Sequence, residues 1–302
     1  MKRGTLYPFL LGAALVAVPL RPIDAASPTP PSGHVANSGS LTGFFVVPGN
    51  QQPKKRYFLY TVAPGQTVAD TVAIVNPATT PLTVSLSASD AINSPGGLSV
   101  TFVEDPRRQR EIGNWFHIRN TTVTVAPKTA LLVPVTLQVS PSARPGQYEG
   151  SVSATNLQGG SVTQGRATIN VRGRVRCTIL LRVIGQGSAG LRIDKVGALY
   201  RAQHNLLTVT FKNTGTVFAN PVTAVMTFRD IAHPDKSYTL RRYIGLVLGG
   251  NAATAIFDLN RFVPVGAYQA RIQLTYRAKL TPASAPNYLH ATWNGRVVVP
   301  KQ

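Results

Sequence analysis

The chain has a single cysteine, Cys177, which excludes an internal disulfide framework and any cysteine-based zinc site. Acids are scarce as well: 11 Asp and Glu among 302 residues, beside 5 His. Little is left for acid–base or metal chemistry. His34, His117, His204, His233 and His290 never stand at the i, i+2 or i, i+4 spacing of a local metal pair. No G-x-S-x-G elbow and no H-E-x-x-H run occurs. A wall hydrolase needs two carboxylates about 5–10 Å apart, and the supply is thin. We therefore expect a non-enzymatic protein, with no catalytic residue, no cofactor and no metal.

What is present is positive charge. Lys and Arg number 31, for a formal net charge of +20, yet only 14% of residues are charged. A typical soluble protein has about 25%. The basicity thus comes from missing acids. Hydrophobic residues make up 43%, enough for ordinary cores and too many for global disorder. A chain this basic attracts anionic polymers, with strong salt dependence.

The longest apolar run is at the N-terminus. Lys2 and Arg3 precede the apolar stretch from Thr5 to Leu20, and Ala25 offers a small residue for cleavage before Ala26. We read residues 1–25 as a signal peptide and 26–40, rich in Pro, Ser and Gly, as a flexible leader. No later stretch is long and apolar enough to span a bilayer. The expected mature chain is secreted, has no membrane span and meets no physiological nucleic acid.

Period-two alternation dominates the rest. Leu82, Val84, Leu86 and Ala88 alternate with polar residues; so do Val133 to Val139, Tyr148 to Ala154, Leu207 to Phe211, Val222 to Phe228 and Tyr268 to Tyr276. Short alternating runs between turn residues predict antiparallel sheets with one buried face. A weak repeat is visible. In each half a strand ends at an Asn in a turn, Asn76 and Asn213, and a Gly-x-Tyr opens a late strand, at Tyr148 and Tyr268. Such a Tyr matches the tyrosine corner of immunoglobulin-like sandwiches. The prediction is all-β: two tandem immunoglobulin-like antiparallel β-sandwiches, at 41–184 and 191–302, joined by a linker at 185–190.

Few motifs carry chemistry. Gly185, Gly187 and Gly190 fit G-x-G-x-x-G, but a strand-like run follows where a dinucleotide site needs a helix. A flexible joint is the better reading. Cys177 shares strand parity with Val175, Ile179 and Leu181, so it reads as a buried, inert thiol. Glu104, Asp105 and Glu111 stand among Arg107, Arg108 and Arg110 and read as a solvated loop with local ion pairs. Arg172, Arg174, Arg176 and Arg182 share parity on one strand, about 7 Å apart where adjacent. They form a candidate polyanion stripe, or a charged edge that blocks aggregation.

One family resemblance attaches to these features. It rests on Phe45-Val46-Val47-Pro48, Tyr57-Phe58-Leu59, Pro64-Gly65-Gln66, Val75-Asn76, Asp90-Ala91, Pro127 and Pro145-Gly146-Gln147-Tyr148-Glu149-Gly150. In order and spacing these resemble the peptidoglycan-binding domain of WxL-interacting proteins, over about residues 41–184. The second half more loosely resembles that family's second sandwich. The resemblance implies an exported, cell-wall-associated binding protein, held on peptidoglycan or an anionic wall polymer and paired with a surface protein partner. Such proteins typically end in a membrane helix; this chain ends TPASAPNYLHATWNGRVVVPKQ, so the expectation is that anchoring is non-covalent or that the protein is released. The alternative is a chaperone or assembly factor for surface fibres that acts by β-strand addition.

Overall fold

The computed structural model describes residues 43–49, 56–96, 99–164, 167–260, 262–278 and 288–300. The expected signal peptide, the leader and part of 281–302 lie outside them. The first sandwich is built from β1 (Phe45–Pro48), β2 (Phe58–Val62), β3 (Thr67–Asn76), β4 (Leu82–Asn93), β5 (Pro95–Gly96), β6 (Val100–Phe102), β7 (Phe116–Ile118), β8 (Thr122–Val125), β9 (Thr129–Gln138), β10 (Gly146–Asn156), β11 (Gly160–Gln164), β12 (Ala167–Val171) and β13 (Arg174–Val183). The second contains β14 (Leu191–Arg201), β15 (His204–Asn213), β16 (Ala219–Asp230), β17 (Ser237–Val247), β18 (Ala252–Asp258), β19 (Gly266–Tyr276) and β20 (Leu289–Val299). The described helices are one 3-10 turn, Pro106–Arg108, and one turn of α-helix, α1 (Ile112–Trp115).

In the first sandwich one sheet runs β1-β3-β9-β7 and the other β2-β13-β10-β4-β6, with β8 also on β4. The opening segment changes sheets. β1 pairs antiparallel with β3, and β2 pairs parallel with β13. In the second sandwich the sheets run β14-β15-β18 and β17-β16-β19-β20. Each has its own core. Val72, Ile74, Ile112, Leu137, Val152 and Ile179 pack in the first; Phe211, Met226, Phe228, Tyr268 and Ile272 pack in the second. Fully burying a side chain such as Phe228 stabilises the fold by about 1.5–3 kcal/mol.

The Asn and Tyr positions of the weak repeat do the same work twice. Tyr148 Oη donates to Arg144 O at 2.6 Å, and Tyr268 Oη donates to Pro264 O at 2.8 Å. Buried Asn76 donates through Nδ2 to Thr80 O, Val125 O and Ala126 O. Buried Asn213 donates to Val217 O and Val247 O and accepts from the N–H groups of Gly190 and Gly215. Each Asn therefore closes its turn and ties it to a distant strand. Asn213→Ala is expected to destabilise the protein by about 2–4 kcal/mol, because buried peptide groups lose their partners. Urea unfolding checks this; a loss below about 0.5 kcal/mol contradicts the account.

The joint at 185–190 is tied down where a flexible connection is expected. Gly190 O and Ser188 O accept from Thr214 N and Val217 N, and Ala189 is buried in the second core. A Cβ on Gly215 would lie 1.9 Å from Ser188 O, so glycine is what lets the turn approach the joint. Further contacts join the sandwiches. Ala91, Phe218 and Leu248 form a small third core, and Asn93 bonds to the backbone of Leu246 and Leu248. β5 even pairs with β18 of the second sandwich. No helix among the described residues is long and apolar enough to cross a membrane.

Candidate functional site

The opening segment changes sheets beside β13, and the described strands pair unequally with its two sides. One side of β13 is paired with β10 along its whole length, from Arg174 to Val183. On the other side, pairing with β2 begins only at Ile179. Among the described residues, no strand pairs with Arg174–Thr178 on that side. Alternate residues of a strand send their backbone groups to opposite neighbours. Gly173 O accepts from Asn156 N on the β10 side, and Ile184 N donates to Val62 O on the β2 side. Odd residues of β13 therefore face β10, and Arg174 and Arg176 turn their N–H and C=O to the open side.

The edge extends beyond the sandwich. The β10–β13 hairpin continues as the β11–β12 ribbon, where Ile169 is 61% exposed. At the other end Leu59, in register with Leu180, is half-exposed, as is Tyr57. Apolar side chains thus flank a stretch of backbone that no described strand pairs on that side. Peptide groups without a described strand partner, next to apolar surface, are what an added strand requires.

The four arginines of the predicted stripe all lie on the solvent side of this strand and its entry, and all are exposed. Their surroundings differ. Glu104, from the loop after β6, takes hydrogen bonds from both Arg174 and Arg176. Arg174 Nε also donates to Thr155 Oγ1 at 2.8 Å, and the Arg176 guanidinium sits 5.3 Å from the Phe102 ring centroid. Arg172 and Arg182 make no ion pair among the described residues, and Arg182 stands apart beyond Thr178 and Leu180.

The Glu104–Glu111 loop is more than a solvated loop with local pairs. Asp105 caps the 3-10 turn and pairs with Arg107 locally, as expected. Glu104 reaches residues 70 and 72 positions away. Ile112 is fully buried, and buried Asp90 accepts from the backbone N–H groups of Arg110, Glu111 and Gly113. Burial, and then the Asp90 charge, push the Glu111 carboxyl up to about 7. Glu111 lines two clefts. One, of about 370 Å³, lies between the sandwiches and includes Arg107, Arg108, Arg110 and the turn Gly249-Gly250-Asn251. The other, of about 280 Å³, includes Trp115, Arg144 and Tyr148. Nothing in the local sequence marks Glu111 as half-buried, since it follows the charged run Arg107, Arg108 and Arg110.

Cys177 is 1% exposed, and burial pushes its thiol up to about 11. Its Sγ faces Arg56 O at 3.5 Å. It should resist a maleimide at pH 8 in the native protein and react quickly in 6 M guanidinium. Fast native labelling would contradict its burial. Among the described residues no group of three His, Cys, Asp or Glu could hold a metal ion.

No family model matches the chain, and no curated protein does. Similar solved structures do exist. The class 5 fimbriae chaperone CfaA is 11% identical, with 82% of this chain and 97% of that one covered and a TM-score of 0.38. The YadV chaperone is 10% identical, with 83% and 98% covered and a TM-score of 0.35. The CsuC–CsuE chaperone–tip subunit complex of Acinetobacter baumannii is 12% identical, with 73% and 92% covered and a TM-score of 0.35.

Proposed function

We propose that this chain is an exported, non-enzymatic assembly factor that holds a partner polypeptide by β-strand addition at the open edge of β13. One observation carries the reading: Arg174 and Arg176 present backbone donors and acceptors on a side where no described strand pairs. An extended segment laid there continues the sheet, and its alternate side chains meet Ile169, Tyr57 and Leu59. Backbone hydrogen bonds supply affinity, and the apolar contacts supply register. The first partner to try is a subunit of a surface fibre.

Hydrogen exchange tests this without ambiguity. In the protein alone the Arg174 and Arg176 amides should exchange fast, while those of Val175 and Cys177, bonded to β10, exchange slowly. A bound partner strand should protect the first pair. Equal slow exchange of all four in the isolated protein would sink the reading. Binding should saturate and depend little on salt.

A second reading is attachment to peptidoglycan or an anionic wall polymer. It is supported by the net charge of +20, by Arg172 and Arg182, and by the resemblance of residues 41–184 to WxL-interacting proteins. Co-sedimentation with purified walls across a salt series tests it. Retention on polymer-stripped peptidoglycan at high salt is expected; binding only to anionic walls at low salt would reduce it to net charge.

A further inference from the structure

The outward face of the β17-β16-β19-β20 sheet is a basic surface that no single strand reveals. Four polar rows follow from the strand register, and an apolar row of Ile231, Ala267 and Val298 borders them at one end. Ser237, Arg229, Gln269 and Arg296 form the first row; Thr239, Thr227, Arg271 and Asn294 form the second. Arg241, Val225, Gln273 and Thr292 form the third; Tyr243, Thr223, Thr275 and His290 form the fourth. Arg229, Arg241, Arg271 and Arg296 are exposed, and none makes an ion pair among the described residues.

No acid lies on this face. The acids from residue 191 onward are Asp194, Asp230, Asp235 and Asp258. Asp194 pairs with Arg192, Asp258 pairs with His204, and Asp230 accepts from Ala232 and His233. Asp235 sits in the turn before β17. The four arginines therefore repel one another without local compensation.

Arg229 and Arg296 are diagonal neighbours of Arg271, and Arg241 stands farther off, one row and two strands from Arg271. No arginine stands directly opposite another. Each faces only Ser, Thr, Gln, Asn or Val on the neighbouring strands. Diagonal neighbours on a sheet are about 7–8 Å apart. The face is thus a flat array of separated cations with neutral donors and acceptors between them.

We propose that this face binds an acidic polysaccharide, with carboxylate or phosphate groups on the arginines and sugar hydroxyls on Gln273, Asn294 and the threonines. Charge complementarity selects an anion. The neutral positions between the cations select a polymer whose charges are separated by hydroxyl-bearing units. Single-stranded nucleic acid fits less well, because the rings in the array, Tyr243 and His290, stand at opposite ends of one row and stacking needs a series. A lipid surface fits less well too, because the aliphatic side chains of the face are Val225 and the end row Ile231, Ala267 and Val298, beyond the arginines, and interfacial binding needs apolar area across the contact. The face is separate from the β13 edge, so failure of strand addition leaves this inference standing, and the reverse.

The test is binding of the full chain to polygalacturonate, with neutral dextran, phosphatidylglycerol vesicles and a single-stranded DNA 20-mer as comparison probes. Polygalacturonate should bind and dextran should not. R229S/R271S/R296S should weaken polygalacturonate binding at least tenfold at 50 mM salt. It should also lower the slope of log K against log salt by about 2–3, since each lost contact releases fewer counterions. K195S/R201S/K212S removes the same charge from exposed positions on β14 and β15. It should change binding less than about twofold. R271Q alone should weaken binding about threefold, which keeps the test open if the triple variant folds poorly. Equal weakening by both triples, no binding to polygalacturonate, or tighter binding to vesicles or DNA would overturn the proposal.

Discussion

Arg176→Pro is expected to abolish partner capture while the sandwich stays folded. The Arg176 N–H points to the open side of β13, so proline removes a donor that no described strand uses. The β10 ladder keeps its bonds, because Val175 and Cys177 carry them. Proline is tolerated at strand edges for this reason and is a common block to edge pairing. The substitution also removes the bond to Glu104 and the contact with Phe102. These groups are solvent-exposed or partly so, and such pairs are worth about 0–1 kcal/mol. Arg176→Ala removes the same side-chain contacts and keeps the N–H, so it is the control. Affinity for the added strand should fall at least about tenfold in the proline variant, about 1.4 kcal/mol, and less than about threefold in the alanine variant. If both variants bind alike, the strand is not held by this edge. If the proline variant alone unfolds, the Arg176 N–H was already bonded within the chain.

The second large effect concerns pH. Glu111 carries a carboxyl pushed up to about 7, first by burial and then by the negative charge of Asp90. Its ordinary value is 4.5. Between these values the folded protein holds a proton that the unfolded chain has released. Stability therefore falls as pH rises from about 4.5 to about 7, and the loss is complete above that. The full swing is about 3 kcal/mol. Glu111→Gln should remove it. The variant should match the parent near pH 4.5 and exceed it by up to about 3 kcal/mol at pH 8, measured by urea unfolding at each pH. A difference that stays constant across that range would show that Glu111 is ionised throughout. The same carboxyl faces Arg110, Arg144 and Tyr148 across the two clefts, so an anion or a cation entering either cleft should shift this profile.

Much of the architecture is written locally. Period-two alternation depends only on which face of a strand each residue takes, and that needs no knowledge of the partner strand. Hence the runs at Leu82, Val133, Tyr148, Leu207, Val222 and Tyr268 all fall inside strands. The Asn turns and tyrosine corners were legible for a similar reason. Their bonds to Thr80, Arg144, Val217 and Pro264 span four residues each. The parity of Val175, Cys177 and Ile179 likewise placed the thiol in the core.

The proposed binding surfaces are not local, and they rest on tertiary structure alone. Arg174–Thr178 lack a described strand partner on one side because β1 joins one sheet and β2 the other, and strand order is not encoded in alternation. The arginine stripe shared a parity, but its acid partner Glu104 sits on a distant loop that folding brings across. Arg229, Arg241, Arg271 and Arg296 lie on four different strands, and each taken alone is an ordinary exposed charge. Only their register sets them in one array. Glu111 stands in a run of charges that reads as solvated, yet the turn that buries Ile112 carries it inward. The sequence by itself determined the class of fold and the poverty of acid chemistry, because composition and short-range pattern suffice for both. Which backbone groups stay unpaired, and which cations stand side by side, depended on contacts between residues far apart in the chain.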